Sequence, residues 1–477
     1  MGNAKLKCKT KIVATMGPAV GTQQMVESMV GAGVDLFRIN CSHGGPEQWQ
    51  SYIQMIRQAG ESRSFGLPIM MDLQGPKIRL GRMQAEFEVR KGEELRIQTG
   101  DFLGTRELVP SNYPFLVQDV KVGDPLLIED GKIVLEVVRL DGDRVVCKVL
   151  AGGMIRDRKG INLPESDLTA RTLSEKDLAD LAFAVANQVD FVAISFVRRA
   201  EDILAAREHA GGLSPRHGLH FIAKIERKDA IPNLRAILDC ADGVMVARGD
   251  LGVEIGPPKV PMLQKEIISR ANLTGKFVIT ATQMLDSMIE RPSPTRAEAS
   301  DVANAILDGT DACMLSGETS AGAFPIESIE MMVRIAAEAE NHPLYRYKPT
   351  NMARGSVHQI PNGLAVAAYQ TAMLMDARLL VAFTNTGGSA LSLSKKHPDP
   401  WVVGATIHPD AARRMRAYWG VEPILLQSAD SIESMVAEVL QAVVHRDLAR
   451  KGDVVILTSG YPLWTTGTSN LMSILKV

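Results

Sequence analysis

No stretch of about 18 or more consecutive apolar residues occurs in the sequence, so no membrane-spanning helix is expected. The five cysteines, Cys8, Cys41, Cys147, Cys240 and Cys313, lie far apart without CxxC spacing. An odd, scattered set excludes a disulfide framework and a thiolate zinc site, which leaves a hard, oxygen-liganded cation as the expected metal. Charge of neither sign prevails: 53 basic side chains face 55 acidic ones. General attraction to nucleic acid or to lipid is thereby excluded, and any phosphate binding has to come from local clusters. Fixed-period repeats and low-complexity tracts are also missing. The basic opening residues lack the apolar core of a secretory signal, so a cytoplasmic protein is expected.

What is present is the ordinary mix of a globular protein, 45% apolar and 23% charged over 477 residues, a length that predicts two to four domains. Apolar runs of β type begin at Lys11, Val34, Pro68, Val189, Leu219, Gly243, Lys276 and Ala312, with helix-like stretches between them. Eight such units predict a closed (β/α)8 TIM barrel. Between the third and fourth runs, from Pro76 to Pro164, the pattern changes to short alternating segments with turns such as Asp141-Gly-Asp143, which is hairpin patterning. A small β-barrel lid domain is expected there, hung over the strand C-termini. A polar, proline-bearing stretch, Asn341 to Gly363, reads as a linker or a linker plus short helix. Beyond it, runs at Leu379, Trp401, Val421 and Asp453 predict a second α/β unit. The expected division is 1–75 with 165–340 as barrel, 76–164 as lid and 341–477 as C-terminal α/β domain.

Polar residues follow the β runs directly, where a barrel holds its active site. Lys224 and Glu226 are two apart at one strand end and share a face; Asp250, in Arg248-Gly-Asp-Leu-Gly252, comes one unit later, and Thr282 one unit after that. Two carboxylates beside a lysine suit a Mg2+ that takes its remaining ligands from substrate and water. Each motif alone reads equally as a salt bridge or a turn; their convergence at successive strand ends favours a site. The glycines around Asp250 leave backbone N–H groups able to meet an anion. Arg38-Ile-Asn-Cys-Ser-His-Gly44 ends the second run and Asp72-Leu-Gln-Gly-Pro-Lys-Ile-Arg79 the third. Arg38, His43 and Arg79 suit phosphate oxygens, while Asn40 and Ser42 offer neutral oxygens to a cation.

Those segments, with Ala281-Thr-Gln-Met-Leu285, Pro294-Thr-Arg-Ala-Glu298 and Met314-Leu-Ser-Gly-Glu-Thr319, resemble pyruvate kinases in order and spacing over nearly the whole chain. The resemblance implies a phosphotransferase that moves the phosphoryl group of phosphoenolpyruvate to ADP, giving pyruvate and ATP in glycolysis. It implies Mg2+, with Mn2+ as the alternative, on Glu226 and Asp250. Lys224 would face the migrating phosphoryl group, with Arg38 beside it; Gly249 and Asp250 would hold the substrate carboxylate, and Thr282 with Ser316 would relay a proton. Asn40, His43, Arg79 and Lys159 would contact nucleotide. Potassium-dependent members hold a monovalent cation at positions matching Asn40, Ser42, Asp72 and Leu73, but carry glutamate where this chain has Lys77; potassium independence is therefore expected. The loop Thr384-Asn385-Thr386-Gly387-Gly388-Ser389, with Ser459 to Gly467, resembles the family's effector loop for a sugar phosphate, and a homotetramer is implied. A metal-dependent lyase and a non-catalytic sugar-phosphate sensor are the rival readings. The lyase has no use for Arg38, His43, Arg79 and Lys159 together, and the sensor none for Lys224 and Thr282.

Overall fold

The structure is a computed structural model that describes residues 8–61, 65–214, 218–342, 359–427, 431–461 and 469–477. All eight expected runs form strands: β1 (Lys11–Thr15), β2 (Leu36–Asn40), β3 (Ile69–Asp72), β4 (Phe191–Ile194), β5 (His220–Ile225), β6 (Gly243–Ala247), β7 (Phe277–Ala281) and β8 (Ala312–Leu315). They pair in parallel, each with its sequence neighbour, and β8 closes on β1 through Lys11–Ala312 to Ala14–Leu315. Val, Ile and Phe dominate these strands because both faces are buried, one against the helices and the other in the barrel. Val13, Leu36, Met70, Phe191, Ile222, Met245 and Phe277 fill the interior.

A repeated device closes the barrel's base. Asp35, Asp190, Asp242 and Asp311 each stand one residue before an even-numbered strand. Each carboxylate accepts an N–H from the strand before: Ile12 at 3.1 Å, Ile69 at 3.0 Å, Phe221 at 2.7 Å and Val278 at 2.6 Å. Backbone donors that would otherwise be orphaned where the strands begin are thereby satisfied.

The insert between β3 and β4 is built mainly of strands, as expected, a curled six-stranded sheet with a separate two-stranded ribbon, and adds one short helix, Leu116–Asp119. Its longest hairpin pairs Ile133–Asp141 with Arg144–Ala151 around Gly142, whose φ of +62° suits the glycine there. The insert returns to the barrel before the helix Glu175–Ala186. A capping box of Ser174 and Asp177 starts that helix, and the other Asp177 oxygen accepts the N–H of Gly75, where the chain leaves for the lid.

The C-terminal unit has strands β9 (Leu379–Phe383), β10 (Trp401–Thr406), β11 (Val421–Leu425), β12 (Val454–Gly460) and β13 (Ser469–Lys476) in the order β11-β10-β9-β12-β13, the last antiparallel. The fifth strand was not expected from sequence. The helix Gln359–Leu374 takes up the end of the stretch read as a linker or a linker plus short helix and runs on beyond it; residues 343–358 of that stretch lie outside the described residues. This unit covers the base of the barrel, where Tyr418 packs on Phe277 at 5.9 Å between ring centroids. No helix among the described residues is long and apolar enough to cross a membrane.

Candidate active site

The C-terminal ends of β1 to β8 surround a cavity of about 630 Å3 lined by Arg38, Ser42, Asp72, Lys77, Ser195, Lys224, Glu226, Asp250, Thr282 and Ser316. A second cavity, about 340 Å3, lies beneath the lid; Lys77, Phe196 and Asp250 border both, and Arg79 and Lys159 border the second. The structure thus brings together residues that the sequence placed on six different strand ends.

Lys224 projects from the end of β5. Its ammonium contacts Ser195 Oγ at 2.7 Å, Glu226 Oε1 at 2.9 Å and Asp72 Oδ1 at 3.1 Å. Burial alone would lower the lysine's pKa, but Asp72 and Glu226 more than offset it and hold the pKa above the ordinary value. The ammonium is therefore a fixed charge. Asp72 is the hub of the cluster: its other oxygen takes Arg38 through Nε at 2.8 Å and Nη2 at 2.7 Å. Burial would raise the Asp72 pKa, yet Lys224 and Arg38 hold it below the usual carboxylate value. Arg38 also donates to Thr15 Oγ1 at 3.0 Å, which fixes its fork across the end of β1.

Glu226 is 1% exposed and accepts the N–H of Phe196 through its second oxygen at 2.7 Å. Asp250, in the first turn of the helix Arg248–Ile255, is raised by burial and then by the negative charge of Glu226. Two hard carboxylates that repel each other across one cavity are the donor set a divalent cation would relieve, and the structure fits one. No group of three or more His, Cys, Asp or Glu able to hold a metal occurs among the described residues, so ligands beyond these two would come from substrate and water.

Thr282 is held in an unusual conformation. It and Gln283 follow β7 with φ of +68° and +54°, the left-handed region that disfavours side chains with a Cβ. Arg248, only 8% exposed, holds them there: its guanidinium donates to the Thr282 carbonyl at 2.7 Å and the Gln283 carbonyl at 3.2 Å, and pairs with Asp301 at 2.6 Å. Thr282 Oγ1 accepts the Gly249 N–H at 2.8 Å. That N–H, read from sequence as free for a substrate carboxylate, is already engaged, because the left-handed turn swings the threonine over the helix start. Glu318 ties the neighbouring loop, its two oxygens accepting the N–H groups of Leu285 at 3.0 Å and Ser316 at 2.7 Å.

Asn40 Oδ1 accepts the Ser42 N–H at 3.1 Å, and Ser42 Oγ accepts the Lys77 ammonium at 2.9 Å. Leu73 lends its carbonyl to Ser195 Oγ at 2.6 Å. Of the four residues expected around a monovalent cation, Asn40 is thus bonded to Ser42, Ser42 to the Lys77 ammonium, Leu73 to Ser195, and Asp72 to the Lys224 ammonium and the Arg38 guanidinium. His43 is exposed, and its pKa is lowered by partial burial and then by Lys77 and Arg38. Arg79 donates to the Arg158 carbonyl at 2.9 Å, and Lys159 pairs with Glu129 at 3.0 Å inside the lid.

The sequence reading missed Ser195, which orients Lys224, and Arg248 as the clamp on Thr282. A serine directly after a β run was the available signal for the first; nothing in the sequence distinguishes the second. At the far end of the molecule Thr384 Oγ1 accepts the Gly387 N–H at 3.0 Å, and Ser389 Oγ lies 2.6 Å from Ser469 Oγ. Asn385, Thr386 and Gly388 border the cavity beside that loop. Residues 462–468, named with it in sequence, lie outside the described residues.

A fixed ammonium, a buried carboxylate pair and a clamped threonine at the mouth of a closed β/α barrel define an enzyme built to handle a small anion. Comparison with known proteins gives the family. The chain matches the family models for the pyruvate kinase barrel domain over residues 7–329 and for the pyruvate kinase alpha/beta domain over 362–475. It is 39% identical to the pyruvate kinases of Staphylococcus aureus strains MRSA252 and USA300 over 469 residues, 98% of this chain and 80% of theirs. The solved structure of a pyruvate kinase from Cryptosporidium parvum matches with a TM-score of 0.92 at 35% identity, over 98% of this chain and 96% of that one. The chain belongs to the pyruvate kinase family, a family of phosphotransferases.

Proposed function

We propose that the protein transfers the phosphoryl group of phosphoenolpyruvate to ADP and protonates the resulting enolate, the closing step of glycolysis, in the cytoplasm. The observation that carries this reading is the Lys224 ammonium, fixed by Ser195, Asp72 and Glu226 in the same cavity as Asp250 and Thr282. In the step, the bond from phosphorus to the enol oxygen breaks, its electron pair stays on that oxygen, and a β-phosphate oxygen of ADP bonds to phosphorus. Such a transfer needs positioning and charge neutralisation more than a protein nucleophile. Lys224 and Arg38 supply fixed positive charge to the migrating group, which costs no reorganisation during reaction. Glu226 and Asp250 would hold Mg2+, or Mn2+, which when bound polarises the enol oxygen. Thr282, together with Ser316 of the same cavity, would pass a proton to the methylene carbon. Lys159, Arg79, His43 and Asn40 serve the nucleotide, and for Lys159 that requires release from Glu129 as the lid (76–164) closes on the barrel (1–75 and 165–340).

Potassium is not required on this reading. The Lys77 ammonium, bonded to Ser42 Oγ at 2.9 Å, already sets a fixed positive charge among the residues expected to hold the monovalent cation. A further monovalent cation beside Lys77 would meet its repulsion. The C-terminal domain (341–477) is read as the seat of activation by a sugar phosphate at Thr384–Ser389, in a homotetramer.

Pyruvate formation from phosphoenolpyruvate and ADP with Mg2+, in potassium-free buffer, tests the reading. Activity there supports both the reaction and the role of Lys77. Activity only with potassium retains the reaction and removes the lysine argument, and no activity with either cation leaves the non-catalytic sensor.

A further inference from the structure

One ion pair repeats, a layer further out, the juxtaposition of the two carboxylates proposed to hold metal. Arg227 directly follows Glu226 at the end of β5, and Glu254 stands four residues after Asp250 on the helix Arg248–Ile255, one turn on along the same face. The side chains divide accordingly: Glu226 borders the cavity of about 630 Å3, Arg227 and Glu254 border the cavity beneath the lid, and Asp250 borders both.

Arg227 is 3% exposed, and all three nitrogens of its guanidinium are engaged. Nη1 meets Glu254 Oε1 at 3.5 Å, Nε and Nη2 donate to Asp229 Oδ2 at 3.2 and 3.1 Å, and Nη2 also donates to the Ser166 carbonyl at 3.2 Å. The Arg227 and Glu254 side chains are 4% and 2% exposed, so water and salt screen their attraction little, whereas Asp229 is 33% exposed. The pair joins the residue after Glu226 to the residue one turn after Asp250, and so draws together the two elements that carry those carboxylates. It works against the mutual repulsion of Glu226 and Asp250, which would otherwise spread the elements apart.

The remaining partner of Arg227 belongs to the segment, 163–172, by which the chain returns from the lid to the barrel. Three carbonyls of that segment are held by guanidinium groups: Ser166 by Arg227, and Leu168 and Ala170 by Arg198, the last at 2.8 Å. Every second carbonyl of an extended segment faces the same side, so the two arginines stand where a neighbouring strand would and satisfy acceptors that lie outside the sheets. From the other side Asp119 of the lid accepts the Thr169 N–H at 2.8 Å.

We propose that Arg227 is a positioning residue for the divalent-metal site: its pair with Glu254 braces Glu226 against Asp250, and its bond to Ser166 ties that brace to the lid. The proposal rests on the reading of Glu226 and Asp250 as the metal carboxylates and adds that the lid's return segment acts on their affinity. A swing of the lid that shifts Ser166 moves the Arg227 guanidinium, and with it the residue next to Glu226. Such coupling is reciprocal, so metal in the site steadies the return segment in turn.

The test uses the full-length protein with Mn2+ alone as the probe, its binding measured by calorimetry and by the spin-resonance signal of the free ion, so that no turnover enters. Arg227→Met and the nearly isosteric Glu254→Gln should each weaken Mn2+ binding about ten- to hundredfold, the range for groups that orient metal ligands. Asp229→Asn, which alters a partly exposed partner of the same guanidinium, should change it by less than about threefold. In steady-state assays of Arg227→Met the Mn2+ concentration for half-maximal rate should rise by the same factor as the dissociation constant, with the rate at saturating Mn2+ reduced far less. In the unmutated protein Mn2+ should slow amide hydrogen exchange over residues 165–170, and in Arg227→Met it should not. Mn2+ affinity within about threefold of the parent in both Arg227→Met and Glu254→Gln, or an equal loss in Asp229→Asn, would overturn the brace. Exchange over 165–170 that ignores Mn2+ in the unmutated protein would refute the tie to the lid. Mn2+ binding unchanged by Glu226→Gln would instead remove the metal reading on which both stand.

Discussion

Arg248 clamps Thr282 and Gln283 in the left-handed region, and Arg248→Met should therefore uncouple catalysis from stability. Each left-handed residue with a Cβ costs about 1–2 kcal/mol, so the pair stores about 2–4 kcal/mol that the guanidinium holds in place. Removing one partner of a buried charge pair costs about 3–5 kcal/mol, here moderated because Asp301 is 39% exposed and can rehydrate. The difference leaves a net loss of only about 1 kcal/mol at mid-range, since the turn relaxes as the clamp goes. Relaxation carries Thr282 Oγ1 off the Gly249 N–H, and a displacement of about 1 Å at a reacting group costs about a hundredfold in rate. Turnover in the phosphoenolpyruvate assay should fall by about that factor, with half-saturation changed far less. Adding Gln283→Gly, which removes the penalty at a φ of +54°, should return part of the turnover. Turnover within about threefold of the parent would show that the turn holds itself, and failure of the glycine rescue would show that strain is not what Arg248 opposes.

Three further outcomes follow from the same contacts. Asp72→Asn leaves Arg38 and Lys224 facing each other with one less buried charge between them, and should lower unfolding free energy by about 3–5 kcal/mol in denaturant titration, together with turnover. His220 is held neutral, its pKa pushed down to about 4 by burial in spite of Asp242, with Arg414 and Arg207 lowering it further and Asp410 opposing them. The unfolded chain binds that proton first as pH falls, so this residue's contribution is intact above about pH 6.5 and declines toward pH 4, by on the order of 3 kcal/mol in total. His220→Asn should flatten that part of the acid limb in thermal unfolding measured against pH. Gly387 has a φ of +95°, and a Cβ there would stand 2.9 Å from Met415 Cγ; Gly387→Ala should destabilise the C-terminal domain by about 2–3 kcal/mol, seen as a lower melting temperature.

The barrel was legible because each strand is buried on both faces and so reads as a short apolar run bounded by polar residues. The lid was legible for the opposite reason, its alternation and Asp-Gly turns. Strand β13 escaped because it is an exposed edge: Leu471 is 41% exposed, Met472 36% and Ile474 50%. No burial constrains its pattern, and Leu-Met and Ile-Leu fall as pairs rather than alternating. The helix Gln359–Leu374 was allowed for only as a short helix within the linker because Pro361 reads as a breaker, although proline is well tolerated in a first helical turn, where the missing N–H would have no partner.

Site chemistry was legible wherever position along the chain implied position in space. Lys224, Glu226, Asp250 and Thr282 stand at strand ends, and the closure of a parallel barrel forces all strand ends to one rim, so residue type and offset were sufficient. What a residue's neighbours across the rim do to it was not legible. Asp72 reads in sequence as one acid among several, yet it becomes the hub because β2 and β4 flank β3 and bring Arg38 and Ser195 to its two sides. Arg248 reads as part of an anion-binding motif, but it turns beneath the rim toward Asp301, some fifty positions on, and supports the threonine from behind. Its guanidinium satisfies carbonyls that a left-handed turn leaves without strand partners, a need that arises only once the turn exists. The groups proposed to act on substrate were thus fixed by local sequence and topology together, whereas the groups that hold them were fixed by pairings between units distant in sequence. Substitutions among the second group are accordingly the ones whose effects a reading of motifs alone would misjudge.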